Sequence, residues 1–248
     1  MGKKRGSSSK SSRRDWEDEC SSRPCTRPNS IVSIQCEAAV IPPGSGSSPP
    51  PFLKPNVETL LEDGEGYSML VAGPVLSDSE CDAWIQWGES QGFALEKHAQ
   101  TSSIAHRDNG RLAIESHEVA HNLFARLQPW LPTEIGGKRA CGCNPNIRVY
   151  KYEPGQRFGP HVDQANRLAD GSVTEFTVLI YLSNVSEGGE TVFYGSHGSN
   201  PSDADALRVQ PRKGACLVHA HGVRCLTHEG AEVKKGVKYL LRTDVAFR

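Results

Sequence analysis

The chain has 248 residues, a formal net charge of -1 and 23% charged residues. That length fits one domain of moderate size with a tail. Near-neutral charge removes the electrostatic case for a nucleic-acid partner, and no apolar run reaches the roughly 18 to 20 residues of a membrane span.

The first fourteen residues carry Lys3, Lys4, Arg5, Lys10, Arg13 and Arg14 among serines, with no acid. This composition fits a solvated basic tail, a nuclear signal or part of a transit peptide. With no apolar core behind it, a secretory signal is not expected, so the predicted setting is intracellular, cytoplasmic or nuclear. Residues 1–66 lack hydrophobic periodicity, and the Pro-, Gly- and Ser-rich run at 42–51 reads as a linker. So polar a segment buries too little apolar surface to offset its ordering entropy. The expected organisation is a disordered tail and linker over 1–66 and one domain over 67–248.

A strand is predicted at 67–71. Ser77 and Asp78 then offer N-caps to a helix that reaches about residue 90 and closes at Gly92. The polar stretch 96–110 fits either a lid over substrate or a surface loop. Val119, Leu123 and Leu127 stand at helical spacing within 117–130, and Pro132 is the expected stop. From Asn146 onward the pattern changes to strands at 147–152, 175–182, 190–194, 207–210, 215–219 and 237–247. Gly, Pro and Asn clusters separate them. Short strands with such turn signals predict a mainly β jelly roll, with the two helices backing one sheet.

Of eight cysteines, Cys20, Cys25 and Cys36 fall in the tail, while Cys81, Cys141, Cys143, Cys216 and Cys225 are scattered through the body. Reduced thiols are expected. Cys141 and Cys143 form one C-x-C with no second pair, which reads as structural and not as a metal site.

The chemistry gathers around His161, Asp163 and His228. A His and an Asp two residues apart on a strand face the same side. A second His from a distant strand completes two imidazoles and one carboxylate on one side of a metal. That set leaves the opposite coordination positions open, which suits non-haem Fe(II) and oxygen better than a closed structural zinc. Lys238, Leu240 and Arg242 share one face of the last strand. A cation returning beside a metal ligand suits a dicarboxylate co-substrate, and Arg242 rivals Lys238 for it because its planar fork binds carboxylates bidentately. Tyr152 reads evenly as a core aromatic or a co-substrate contact. His219 and His221 have same-face spacing but no carboxylate nearby in sequence, so packing or surface roles are expected. His117 and His121, four apart on a helix beside Glu118, lack a third ligand and read as a solvated face.

Taken in order, Tyr152, Gly155-Gln156, His161-x-Asp163, the run from Thr177 to Leu182, Gly188-Gly189-Glu190-Thr191, His228 and Lys238 resemble the 2-oxoglutarate- and Fe(II)-dependent dioxygenases. The resemblance is to their prolyl 4-hydroxylase-like branch and covers about residues 75–247. It implies a double-stranded β-helix with iron held by His161, Asp163 and His228. It implies that Lys238 binds the distal carboxylate of 2-oxoglutarate, with the Tyr152 hydroxyl and Thr177 beside it. The implied activity couples decarboxylation of 2-oxoglutarate to succinate with hydroxylation of a protein side chain, proline foremost, using O2. L-Ascorbate is the implied rescuer of oxidised iron. Prolyl 4-hydroxylases similar in the core carry an Arg-Thr-Ser segment and a Trp before the second helix. Arg107 stands in the matching region and keeps the Arg's implied role as a substrate contact, but the Thr, Ser and Trp are absent, which argues against a close collagen-type or cell-wall-type match. The alternatives are oxidation of a small molecule or modified nucleobase by the same chemistry, and a non-catalytic cupin-like binding protein.

Overall fold

The computed structural model describes residues 38–45, 56–61, 69–99, 101, 105–195 and 206–248. The expected basic tail, most of the proline-rich run, and Cys20, Cys25 and Cys36 lie outside the described residues. The strands are β1 Asn56–Leu61, β2 Met69–Gly73, β3 Ala94–His98, β4 Arg107–Glu115, β5 Glu134–Ile135, β6 Lys138–Cys143, β7 Asn146–Tyr152 and β8 Phe158–His161. They continue as β9 Val173–Tyr181, β10 Glu187–Gly188, β11 Thr191–Phe193, β12 Leu207–Val209, β13 Cys216–Ala220, β14 His228–Gly230, β15 Val233–Lys235 and β16 Lys238–Phe247. Two helices, α1 Asp78–Gln91 and α2 His117–Leu127, complete the set.

The main sheet runs β1-β2-β13-β9-β16-β7-β4-β8-β14-β11-β12 through antiparallel pairs, and it curls into a jelly roll. Strand alternation separates two cores. On β9, Phe176, Val178 and Ile180 join Leu241, Val245 and Phe247 of β16 beneath Trp84, Leu123 and Leu127 of the helices. The opposite face sends Leu179, Tyr181 and Leu240 inward with Tyr150, Tyr152, Phe193 and Leu217. β16 is central to both, because it pairs with β9 on one side and β7 on the other. Its register sets Lys238 opposite Tyr152 and Arg242 opposite Leu179.

The helix signals act as their chemistry requires. The Ser77 hydroxyl accepts from the Glu80 N–H at 3.2 Å while the Glu80 carboxylate accepts from the Ser77 N–H at 2.9 Å. Gly92 ends α1 with φ 75°, a conformation that glycine adopts without strain. The helix expected over 117–130 stops at Leu127 and tightens into a 3-10 turn, Gln128–Trp130. Pro129 has no N–H to continue an α-helical ladder, which accounts for the early stop.

Two further expectations change. Within the expected tail, β1 pairs with β2, and Val40 is fully buried. The Trp84 indole donates to Val40 O at 3.0 Å, and the Arg126 guanidinium donates to Ala38 O at 2.7 Å and bidentately to Glu80 at 2.6 and 2.9 Å. The packed part of the chain therefore includes residues before 67. These contacts are mostly backbone to side chain and leave no hydrophobic period to read. The polar stretch 96–110 contributes to a hairpin, β3 against β4, fastened by Glu96 to Arg107 at 3.1 Å and Arg111 at 2.9 Å. Cross-strand charge pairs stand there in place of apolar alternation.

Candidate metal centre

His161 ends β8 and His228 opens β14, and the two residues are direct cross-strand partners. Asp163 lies two residues beyond His161, the last residue of β8, and outside the strand, so the chain's turn and not strand alternation brings it to the site. Each histidine is oriented by its own backbone. His161 Nδ1 donates to Gly159 O and His228 Nδ1 donates to Leu226 O, both at 2.9 Å. A carbonyl only accepts, so the proton sits on Nδ1 and both Nε2 lone pairs are free. Those nitrogens face Asp163, with His161 Nε2 at 3.8 Å from Oδ1 and His228 Nε2 at 3.8 Å from Oδ2.

The donor set fits a small divalent ion. Bonds of about 2.1 Å meeting at right angles separate donors by about 3 Å, and one ligand atom from each of the three residues lies within 4.8 Å of the others, so the groups need to close by less than about 2 Å. Rings wall the site: Phe158 stacks on His161 at 3.8 Å and Phe193 on His228 at 5.1 Å. Burial pushes the His161 imidazole down to about 3 and lowers that of His228, so both are neutral donors at physiological pH. Burial also pulls the Asp163 carboxyl up. The Arg242 cation, the leading opposing influence, holds that group well below its ordinary range.

A hydrogen-bond chain fixes the carboxylate. The Thr177 hydroxyl donates to Asp163 Oδ2 at 2.6 Å and accepts from His221 Nε2 at 2.7 Å. Arg242 Nη2 adds contacts to Asp163 Oδ2 at 3.0 Å and Thr177 Oγ1 at 3.3 Å. Thr177, expected beside the co-substrate, is thus turned toward the metal ligand. His219 and His221, expected to pack or face solvent, are buried here. His219 Nε2 lies 3.7 Å from Asp163 Oδ2, with no hydrogen-bond partner among the described residues. Cys225 was another residue without a legible sequence signal. Its Sγ accepts from the Asp163 N–H at 3.3 Å and lies 3.7 and 3.9 Å from the Nδ1 atoms of His228 and His219. His219, Cys225 and His228 form a second metal-capable group that shares His228 with the first.

The triad opens onto a pocket lined by Tyr150, Tyr152, Leu179, Lys238, Leu240 and Arg242. Lys238 is 2% exposed, with Nζ 5.6 and 5.8 Å from the ring centres of Tyr152 and Tyr181, and it makes no hydrogen bond or ion pair with a described residue. An unpaired cation facing a pocket is a receptor for an anion. Arg107 stacks 4.2 Å above the ring of Phe158 while Glu96 holds its Nη1, so it connects to His161 through that ring. The exposed pair His117 and Glu115 lie 3.7 Å apart, as a solvated face requires.

Residues 147–243 match the 2OG-Fe(II) oxygenase superfamily. Among curated proteins, the chain is 33% identical over 171 residues to probable prolyl 4-hydroxylase 7 of Arabidopsis thaliana, covering 58% of this chain and 49% of that protein. It is 42% identical over 150 residues to probable prolyl 4-hydroxylase 11 of the same plant, covering 57% and 49%. The chain spans about half the length of the curated relatives it matches. Among solved structures, a viral collagen prolyl hydroxylase from Paramecium bursaria Chlorella virus-1, in its 2OG complex, aligns with TM-score 0.50 and 21% identity. That alignment covers 73% of this chain and 97% of the other. A prolyl hydroxylase from Trichoplax adhaerens, in complex with a hypoxia inducible factor peptide, aligns with TM-score 0.50 and 18% identity over 72% and 83%. These structural likenesses establish the jelly-roll fold.

Proposed function

We propose that this chain is a 2OG-Fe(II) oxygenase that hydroxylates prolyl residues of a protein or peptide, a reading supported by the match of residues 147–243 to that superfamily and by the likeness to plant prolyl 4-hydroxylases. The reaction would convert 2-oxoglutarate and O2 to succinate and carbon dioxide. The observation that carries the reading is one pocket holding two neutral imidazoles, one ionised carboxylate and, apart from them, an unpaired lysine.

His161, Asp163 and His228 would hold Fe(II), which when bound supplies the oxygen activation that side chains lack. The residues of the chain bind, orient and exclude water. Lys238 would receive the distal carboxylate of 2-oxoglutarate, with Tyr152 opposite it across the strand pair. Thr177, His221 and Arg242 hold Asp163 in one rotamer, and Phe158 and Phe193 keep the imidazoles dry. Arg107 would meet the substrate beside Phe158. Ascorbate would restore iron oxidised in turnovers that miss the substrate. The hypoxia-inducible-factor peptide bound to the Trichoplax relative is consistent with a peptide substrate here.

Among the described residues no helix is long and apolar enough to cross a membrane, and the five described cysteines are free thiols. The free thiols support an intracellular setting. The test is incubation of purified protein with Fe(II), 2-oxoglutarate, ascorbate and a library of proline-containing peptides. Succinate release with a one-oxygen mass gain on proline supports the reading. Succinate without any peptide oxidation across the library would remove the prolyl assignment, and no 2-oxoglutarate turnover at all would remove the dioxygenase.

A further inference from the structure

The inner face of β16 sends two cations into one pocket, Lys238 and Arg242, with Leu240 between them. Four residues of strand separate their Cα atoms by about 13 Å, so the two charges serve opposite ends of the cavity. Lys238 lies among the aromatic rings, and Arg242 lies at the triad. The guanidinium uses Nη2 alone in its hydrogen bonds, to Asp163 and Thr177. Its Nε is buried and has no acceptor among the described residues. Asp244 Oδ1 approaches Nη2 at 3.6 Å, beyond hydrogen-bond reach, and has no hydrogen-bond partner among the described residues, while Oδ2 of the same carboxylate is held by Arg148 at 2.5 Å and Asn144 at 3.2 Å.

A guanidinium fixed at one nitrogen and unused at another is poised for a carboxylate. The charge balance points the same way. A divalent ion, Lys238 and Arg242 together exceed the single charge of Asp163 by three. A dianion bound across the pocket offsets two of those charges, whereas a monoanion leaves two buried.

We propose that Arg242 is the pocket's second carboxylate receptor, taking the carboxylate next to the keto group of 2-oxoglutarate while Lys238 takes the far one. This inference rests on the dioxygenase reading. It makes the co-substrate's two ends separately readable. In 2-oxopentanoate the far carboxylate is replaced by a methyl group, and in 4-oxopentanoate the carboxylate beside the ketone is replaced in the same way.

The experiment titrates all three acids into protein saturated with Zn(II), with binding read by saturation-transfer NMR and zinc content measured for each variant. Arg242→Met should weaken 2-oxoglutarate and 2-oxopentanoate by about ten- to a hundredfold, the worth of a charge-assisted contact, and leave 4-oxopentanoate within about threefold. Lys238→Met should show the reverse preference, sparing 2-oxopentanoate. Arg242→Lys keeps a cation on the fold and should retain part of the 2-oxopentanoate affinity. It carries the comparison should the methionine variant fail to fold. Equal weakening of all three acids in the Arg242 variants would show that Arg242 acts only through Asp163, and the proposal would be overturned. Failure of the unaltered, zinc-loaded protein to bind any of the three would overturn the dioxygenase reading itself.

Discussion

Removing the ammonium of Lys238 from water with no partner is costly, and burial pushes its proton affinity down to about 7, against a small opposing pull from Glu190. In the unfolded chain the same group titrates near 10.5. Between those values the unfolded state binds more protons, so this residue's contribution makes stability rise with pH. Below about pH 7 both states are protonated and the full cost, on the order of several kcal/mol, is present. Lys238→Met should therefore raise the thermal midpoint, by more at pH 6 than at pH 10, while weakening 2-oxoglutarate. Differential scanning fluorimetry at the two pH values checks the first half. For the unaltered protein, affinity for 2-oxoglutarate should fall as pH rises above about 7, where the free lysine loses its proton; calorimetric titration from pH 6 to 9 reads this directly. A second residue-level expectation concerns Thr177. Thr177→Val keeps the shape but removes the donor to Asp163 Oδ2. Such supporting contacts are worth about ten- to a hundredfold in metal affinity. Competition against a fluorescent chelator would measure it, and an unchanged affinity would mean that Arg242 alone orients the carboxylate.

Elements were legible where side chains repeat with a period and obscure where the backbone or charge does the work. Strands β7, β9, β11, β12, β13 and β16 were readable, because residues such as Val149, Val178, Ile180, Val218, Leu241 and Val245 of the helix-side core alternate with residues of the opposite face, whereas the short β8, β10, β14 and β15 were not. Both helices were readable through Ser77, Gly92 and the Val119–Leu123–Leu127 stripe, although Pro129 shortened the second. His161, Asp163, His228 and Lys238 stood out as spaced residue types, and the fold brings the first three together. What supports them was not. His219, His221 and Cys225 reach Asp163 only because β13 and the turn after it pass behind the carboxylate, a long-range placement with no local period. The β3–β4 hairpin escaped for another reason, since Glu96, Arg107 and Arg111 make its contacts as ions. The Glu80–Arg126 pair shows the same principle between α1 and α2. Both members are almost wholly buried. Arg126→Met strands the Glu80 carboxylate and should cost about 3 to 5 kcal/mol, whereas replacing both residues with apolar ones should cost much less. Urea unfolding of the single and double variants distinguishes the two outcomes.

At the scale of the whole molecule, the helices and the segment around Val40 form one side of the sheet, and the candidate metal centre lies on the inner face. Deleting the chain through residue 45 removes Val40 from beneath Trp84 and withdraws the carbonyls that accept from Trp84 and Arg126. Burial of one valine and loss of these partners together are worth on the order of 3 kcal/mol. The truncated protein should unfold at a lower temperature yet keep its affinity for 2-oxoglutarate when cold, as chemical denaturation beside a binding titration will show.

The direct pairing of His161 with His228 has a dynamic consequence. β8 and β14 are four and three residues long, and they meet with a register irregularity between His228 and Gly230. So short a ladder opens easily alone, whereas an ion gripped by one imidazole from each strand closes the seam like a rivet. Because the ion binds only the closed form, it suppresses opening in proportion to its occupancy. Amide hydrogen exchange should thus quicken selectively in β8, β14 and the neighbouring β11 when a chelator strips the protein. β9 and the buried half of β16, held by the helices, should exchange at unaltered rates. Uniform acceleration throughout would mean that the ion stabilises the global fold and not this seam.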